Sequence, residues 1–453
     1  MNQSTNTDGG KATEDREDEP ALLPGLPNHI AHIILSTVRP SLLSAVCRPW
    51  RRLIYTPYFP PFLTLYAIVA NNSDRSLSDS VSFFTFDPVS CKWITLQLPT
   101  VDPPLRFLHR HPSFISRNLT IQSLTVAGCL VLIAATGHNF LPALSHPLVF
   151  DPLSGEWFLG PPLTNPRRWC AAGCIRNTVY VASGVGAHYR GDVGRMMEKW
   201  DVERRRDDWR WEEVAGLKDG RFSREAVEAV GYKGKLCMVN VKGNAGKEGV
   251  VYDVEEDRWE KMATGMLSGW TGAVGVTEEE VMYVVDEEKG ALRKYDDEKD
   301  CWEEMIEGSE LLKGAEQMTV GGGKICVVSG GGGRITVVDL VAEPVRMWVV
   351  DPPRPENEVL SVHILRRPCK LRERGKHIVV EKEDKHGDGY RHEEISSANT
   401  INTTRPMRAI DFMQTTSSVC EGFVYVFYSS NKTPLKTRDK SPAKNKTRPT
   451  TFL

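Results

Sequence analysis

The sequence predicts a mostly β fold: a six-bladed β-propeller preceded by a short three-helix block, with disordered termini on either side. Three observations carry this expectation. A phrase made of an apolar strand, an Asp, a turn and a Trp recurs six times. Its copies lie about 50 residues apart, enough for one four-stranded blade. Ahead of the first copy the apolar residues change to helical spacing.

Taken in chain order, residues 1–20, MNQSTNTDGGKATEDREDEP, are polar and acidic and read as disordered. They lack the basic start and apolar core of a secretory signal. With no nearly apolar stretch longer than Phe62 to Ala70, well short of the roughly 18 residues that span a bilayer, the expectation is an intracellular protein, cytoplasmic or nuclear, with no membrane partner.

Residues 21–59 form the helical block. Pro27 suits the first helical position, and Leu26, Ile30, Ile33, Ile34 and Val38 then make one stripe of a helix. Pro40 disfavours helix at Arg39 and ends it. A second helix from Ser41 carries Leu42, Leu43 and Val46. A third brings Trp50, Leu53 and Ile54 to one side, with Pro49 starting a fresh turn. Fewer than 40 residues cannot bury a stable core alone. The block therefore needs a partner, either the ring or another protein.

Residues 62–365 carry the repeat: Phe86-Asp87 with Trp93, Phe150-Asp151 with Trp157, Trp200-Asp201 with Trp209, Tyr252-Asp253 with Trp259, Tyr295-Asp296 with Trp302, and Val338-Asp339 with Trp348. An Asp after a strand bonds the backbone of the turn that follows. A Trp on the returning strand supplies apolar surface between adjacent sheets. The first unit offers only three strands, while Leu360 to Leu365 follows the last Trp with no blade of its own. That segment is expected to return and complete blade one, removing the open sheet edge.

Residues 366–453 hold 18 basic and 10 acidic residues, a net of +8, which leaves −10 for residues 1–365. The stretch is rich in Thr, Ser, Asn and Lys and reads as largely disordered, apart from the β-prone run Phe423 to Tyr428. Its charge is too dilute to predict a specific nucleic-acid partner.

The strand phrase and blade length resemble the kelch-repeat family. In the block, Leu26-Pro27, Ile34-Leu35 and Val46-Cys47-Arg48-Pro49-Trp50-Arg51-Arg52-Leu53 resemble an F-box. Together they resemble the plant F-box/kelch-repeat proteins, specifically the SKIP group of Skp-interacting partners. The resemblance implies the substrate-recognition subunit of an SCF-type ubiquitin ligase: the block docks on a Skp-type adaptor and through it on cullin, and a propeller face holds a target protein. It assigns adaptor binding by the F-box to Leu26, Pro27, Ile30, Ile34, Leu35, Val46, Cys47, Trp50 and Leu53, some of them forming the fold and some the contact.

Target contact is expected from inter-strand loops, which vary without disturbing blades. Arg168, Trp169, His188, Tyr189, Arg190, Arg221, Phe222 and Trp270 offer the Arg and aromatic side chains that dominate interfaces. The alternatives are a stand-alone kelch scaffold and a propeller oxidase. For the latter the signals are thin: the His residues are scattered, as at His29 and His32 or His109 and His111, and Gly321-Gly322-Gly323-Lys324 lacks the full phosphate-loop pattern and reads as a turn. Ten Cys with no CxxC pair read as reduced thiols. A non-enzyme without cofactor or metal is expected.

Overall fold

The computed structural model describes residues 21–367 apart from 39, 57–58, 60–61, 72–77, 101–104, 109–120, 134, 136–142, 187–190, 219, 221, 223–226 and 241–246. Helices α1 (Asn28–Leu35), α2 (Pro40–Val46) and α3 (Arg48–Ile54) precede six antiparallel sheets. Blades two to six, at 123–159, 171–214, 227–261, 274–306 and 315–350, each pair four strands in chain order. Blade one is closed by the two ends of the ring. Strand Glu358–Arg366 pairs with Leu63–Asn71, which is followed by Ser78–Asp87 and Lys92–Thr95. The returning segment is thus the one expected, with Leu65 opposite Ile364 and Ala67 opposite Val362, although the strand runs one residue beyond 365.

Six apolar clusters lie between neighbouring sheets, one per blade boundary. Leu65 and Phe84 meet Val328 and Val337 between blades one and six, and Tyr66 and Phe83 meet Leu130 and Phe150 between blades one and two. The first strand of each blade packs on the first strands of its neighbours, and together these strands line an axial cavity of about 560 Å³.

Every repeat Asp caps its turn. Asp87, Asp151, Asp201, Asp253, Asp296 and Asp339 each accept a backbone N–H two residues on, from Val89, Leu153, Glu203, Glu255, Glu298 and Val341. The Trp does more than fill space. Trp93, Trp157, Trp259 and Trp302 stand opposite or beside the aromatic that precedes the Asp. Each indole N–H also donates to a backbone carbonyl of the preceding blade or the link leaving it: Asp351, Gln97, Ala215 and Gly265 respectively.

Two copies depart from the expected assignment. In blade three, Met197 pairs with Val214, and continuing that register sets Trp211, not Trp209, opposite Trp200. Trp211 N–H donates to Pro161 O at 3.0 Å, across the blade boundary, while Trp209 N–H stays within its own turn on Arg204 O. In blade six, Val338 pairs with Met347, and Trp348 pairs with Val337. One residue of offset turns a side chain to the other sheet face. Met347 therefore packs toward blade five and Trp348 toward blade one.

Candidate functional site

On α1 the pair Ala31 and Leu35, four apart, points inward and joins Leu43, Leu53, Ile54, Phe59 and Phe62 in one small core. Trp50 indole N–H donates to Leu22 O at 2.7 Å, and Leu22 N–H donates to Asn28 Oδ1 at 3.0 Å, folding the chain ahead of α1 back onto α3. Cys47 is the N-cap of α3 and Pro49 lies in its first turn, where a missing N–H costs nothing.

This core leaves a large apolar surface uncovered. Leu26, Ile30, Ile33, Ile34, Leu42 and Val46 are all exposed, Ile33 by 64% and Val46 by 60%. Seven of the twelve large exposed hydrophobics among the described residues fall in this block, so apolar exposure is concentrated here and not scattered as on an ordinary surface. Of the residues expected to contact an adaptor, Leu26, Pro27, Ile30, Ile34 and Val46 are exposed, and Cys47 and Trp50 are half-buried. Leu35 and Leu53 are corrections: both are buried in the core and build the block. Ile33 and Leu42 were absent from the expected contact set. The signal for Ile33 was its spacing with Ile30 and Ile34, the side of α1 opposite Ala31 and Leu35.

The block is tied to the ring through Arg367, immediately after the closing strand. Its guanidinium donates to Ile54 O at 3.2 Å, lies 3.7 Å from Asp87 and stacks over Tyr55 at 4.1 Å. Tyr55 O–H donates to Asp87 Oδ2 at 3.0 Å. Burial, together with that carboxylate, pushes the Tyr55 phenol up to about 12, so it remains a donor at neutral pH.

No family model matches the chain. Against individual proteins, it is 51% identical over 367 residues to the F-box/kelch-repeat protein SKIP25 of Arabidopsis thaliana, covering 79% of this chain and 92% of that one. The chain belongs to the plant F-box/kelch-repeat family. The Arabidopsis F-box/kelch-repeat protein At1g22040 is 23% identical over 64% of this chain and 72% of its own length. For the Arabidopsis F-box protein AFR the identity is again 23%, over 62% and 73%.

Strand directions divide the loops of this F-box/kelch ring into two sets. Turns between first and second strands, and between third and fourth, lie at one end and are short, as at 127–128, 233–234 and 322–323. The F-box sits at this end, against the turn after Asp87. The second-to-third loops and the links between blades lie at the other end and, among the described residues, are longer, as at 160–170 and 262–273.

Of the residues expected to contact a target, Arg168, Trp169, Phe222 and Trp270 fall in long-end segments. His188, Tyr189, Arg190 and Arg221 lie outside the described residues. Arg168 and Trp169 are half-buried, the guanidinium 4.2 Å over the indole, and Trp169 takes φ +52°, a strained value for a bulky residue. Phe222 and Trp270 are corrections. Phe222 is buried between blades three and four and Trp270 between blades four and five, its N–H on Glu228 Oε2 at 3.0 Å. Their bulk is spent on packing.

Several polar groups that could suggest chemistry are occupied structurally. Gly322 and Gly323 have φ of +56° and +72° and make a hairpin turn that only glycine enters without strain. The Lys324 that follows is buried with Nζ 2.5 Å from Asp339 Oδ2, so it is not offered to a phosphate. Arg167, in the link entering blade three, and Glu198, on that blade's third strand, form a buried ion pair. Burial pushes the thiols of Cys170, Cys237 and Cys326 up to about 12, which keeps them protonated and unreactive. Cys91 differs from the expected reduced thiols in being disulfide-bonded. Among the described residues, no three His, Cys, Asp or Glu side chains converge as metal ligands, and no helix is long and apolar enough to cross a membrane.

Proposed function

We propose that this F-box/kelch protein is the substrate-recognition subunit of an SCF-type ubiquitin ligase. In this reading the exposed face of α1 and α2 docks on a Skp-type adaptor, and through it on cullin, while the long-loop end of the propeller receives the target. The observation that carries the reading is the contrast within α1: Ala31 and Leu35 complete a core, yet Ile30, Ile33 and Ile34 remain in solvent on the other side. An aliphatic stripe of this kind is normally buried against a partner.

The chain would contribute proximity and not chemistry. Holding a target near a ubiquitin-loaded enzyme raises effective concentration without a catalytic group on the holder. The two-ended layout suits this, because loops at one end can vary for the target while the F-box end stays fixed.

Co-purification tests it. The full chain is expected to retain a Skp-type adaptor and cullin, and Ile33→Glu combined with Ile34→Glu to lose both while the ring melts unchanged. A wild-type chain that captures no adaptor overturns the proposal.

A further inference from the structure

The block and the ring differ in charge as well as in apolar exposure. Residues 21–59 contain no Asp or Glu at all, against four Arg, whereas residues 62–365 sum to −10. In a chain with 59 acidic residues, 39 consecutive positions without one form a distinct electrostatic surface. On α3, Arg48, Arg51 and Arg52 are spaced i, i+3 and i+4, which sets them on one side of the helix, and all three are exposed. Arg51 is held toward α2, donating from Nε and Nη2 to Ser44 O at 2.9 and 2.8 Å. Arg48 and Arg52 pair with no carboxylate among the described residues.

From this charge pattern we infer that the partner covering the helical block presents an apolar centre edged by carboxylates, so that association with the adaptor is electrostatically steered. This rests on the adaptor reading above and adds to it the charge of the partner surface. An apolar stripe fixes how tightly two faces hold. Opposite charges around it fix how fast they meet and in which orientation. The absence of acidic residues in the block removes like-charge repulsion from such a partner. The ring, at a net −10, repels such a partner overall, which favours an encounter through the block.

Association of the full chain with a purified Skp-type adaptor, followed by stopped flow, tests the inference. The rate is expected to fall at least about tenfold between about 50 mM and about 500 mM salt. Arg48→Glu with Arg52→Glu is expected to slow association about tenfold or more at the lower salt. Arg48→Lys with Arg52→Lys should stay near wild type, as should Lys218→Glu with Lys289→Glu at the opposite end. Melting of each variant confirms that the fold is kept. An adaptor that binds at a rate indifferent to salt and to the Glu pair overturns the charge inference and leaves the adaptor reading standing. An adaptor that fails to bind at any salt overturns the adaptor reading itself. Displacement of the adaptor by a short DNA duplex through the same arginines would overturn the inference by assigning the cations to nucleic acid.

Discussion

In the ring, the aromatic residue ahead of five of the six repeat Asp residues (Phe86, Phe150, Trp200, Tyr252, Tyr295) is at most 5% exposed, whereas in the helical block Ile33 is 64% exposed. The same kinds of side chain are treated oppositely within one chain. The ring satisfies itself because each sheet has a neighbour on both faces, and its closing strand supplies the last one. Three helices of seven or eight residues have no second layer to close on, so packing Leu35, Leu43 and Leu53 inward forces other apolar residues outward. A folded domain that is complete and one that awaits a partner can therefore be told apart by where each hides its largest side chains.

The first way to sharpen the contrast is to load the ring at its seam. His363, on the closing strand, is buried, with Nε2 2.8 Å from Ser123 Oγ and Nδ1 3.3 Å from Thr125 Oγ1 in blade two. Burial holds its imidazole down at about 4. Because the folded value lies below the unfolded one of about 6.5, the unfolded chain binds more protons as pH falls, and stability drops as pH goes from about 6.5 toward 4. Between pH 7 and pH 5 the loss from this one group is expected to be about 2 kcal/mol. His363→Gln should flatten the dependence of melting temperature on pH over that range. A dependence equally steep in the variant would show that the seam does not carry it.

The tryptophans whose indole N–H donates across a blade boundary offer a smaller effect and bear on what the sequence could reveal. The Asp of each copy was legible because its hydrogen bond reaches only two residues along the chain. The Trp was legible wherever the hairpin kept its length, as at Trp93, Trp157, Trp259 and Trp302. In blade three the longer turn through Arg204, Arg205 and Arg206 leaves two candidates, and only strand register separates Trp211 from Trp209. In blade six an odd offset puts Trp348 on the face opposite Met347. Neither can be read without knowing which backbone groups pair. Helical spacing groups Ile30, Ile33 and Ile34 on one side of α1 and Ala31 and Leu35 on the other, but which side faces solvent was likewise hidden, since both sides are apolar. Trp211→Phe keeps an aromatic ring but gives up buried volume and leaves Pro161 O without its partner, and is expected to cost at least about 1 kcal/mol in urea unfolding. Trp209→Phe, whose N–H bonds only its own turn, should cost distinctly less. Equal losses would return the two residues to equivalence.

The smallest expected effect on stability is at the residue with the greatest proposed effect on function. Ile33 is mostly in solvent and belongs to no buried cluster, so removing its apolar surface forfeits little transfer free energy. Ile33→Ser is expected to shift the stability of the free chain by less than about 0.5 kcal/mol, while Leu43→Ala, one helix away and fully buried, should cost about 3 kcal/mol. Thermal melts of the isolated chain and capture of a Skp-type adaptor, measured on the same two variants, make the test complete. Ile33→Ser should melt like wild type and lose most capture. Were it to melt early, Ile33 would be covered within the chain itself, and the block would be a cap on its own ring instead of a surface awaiting a partner.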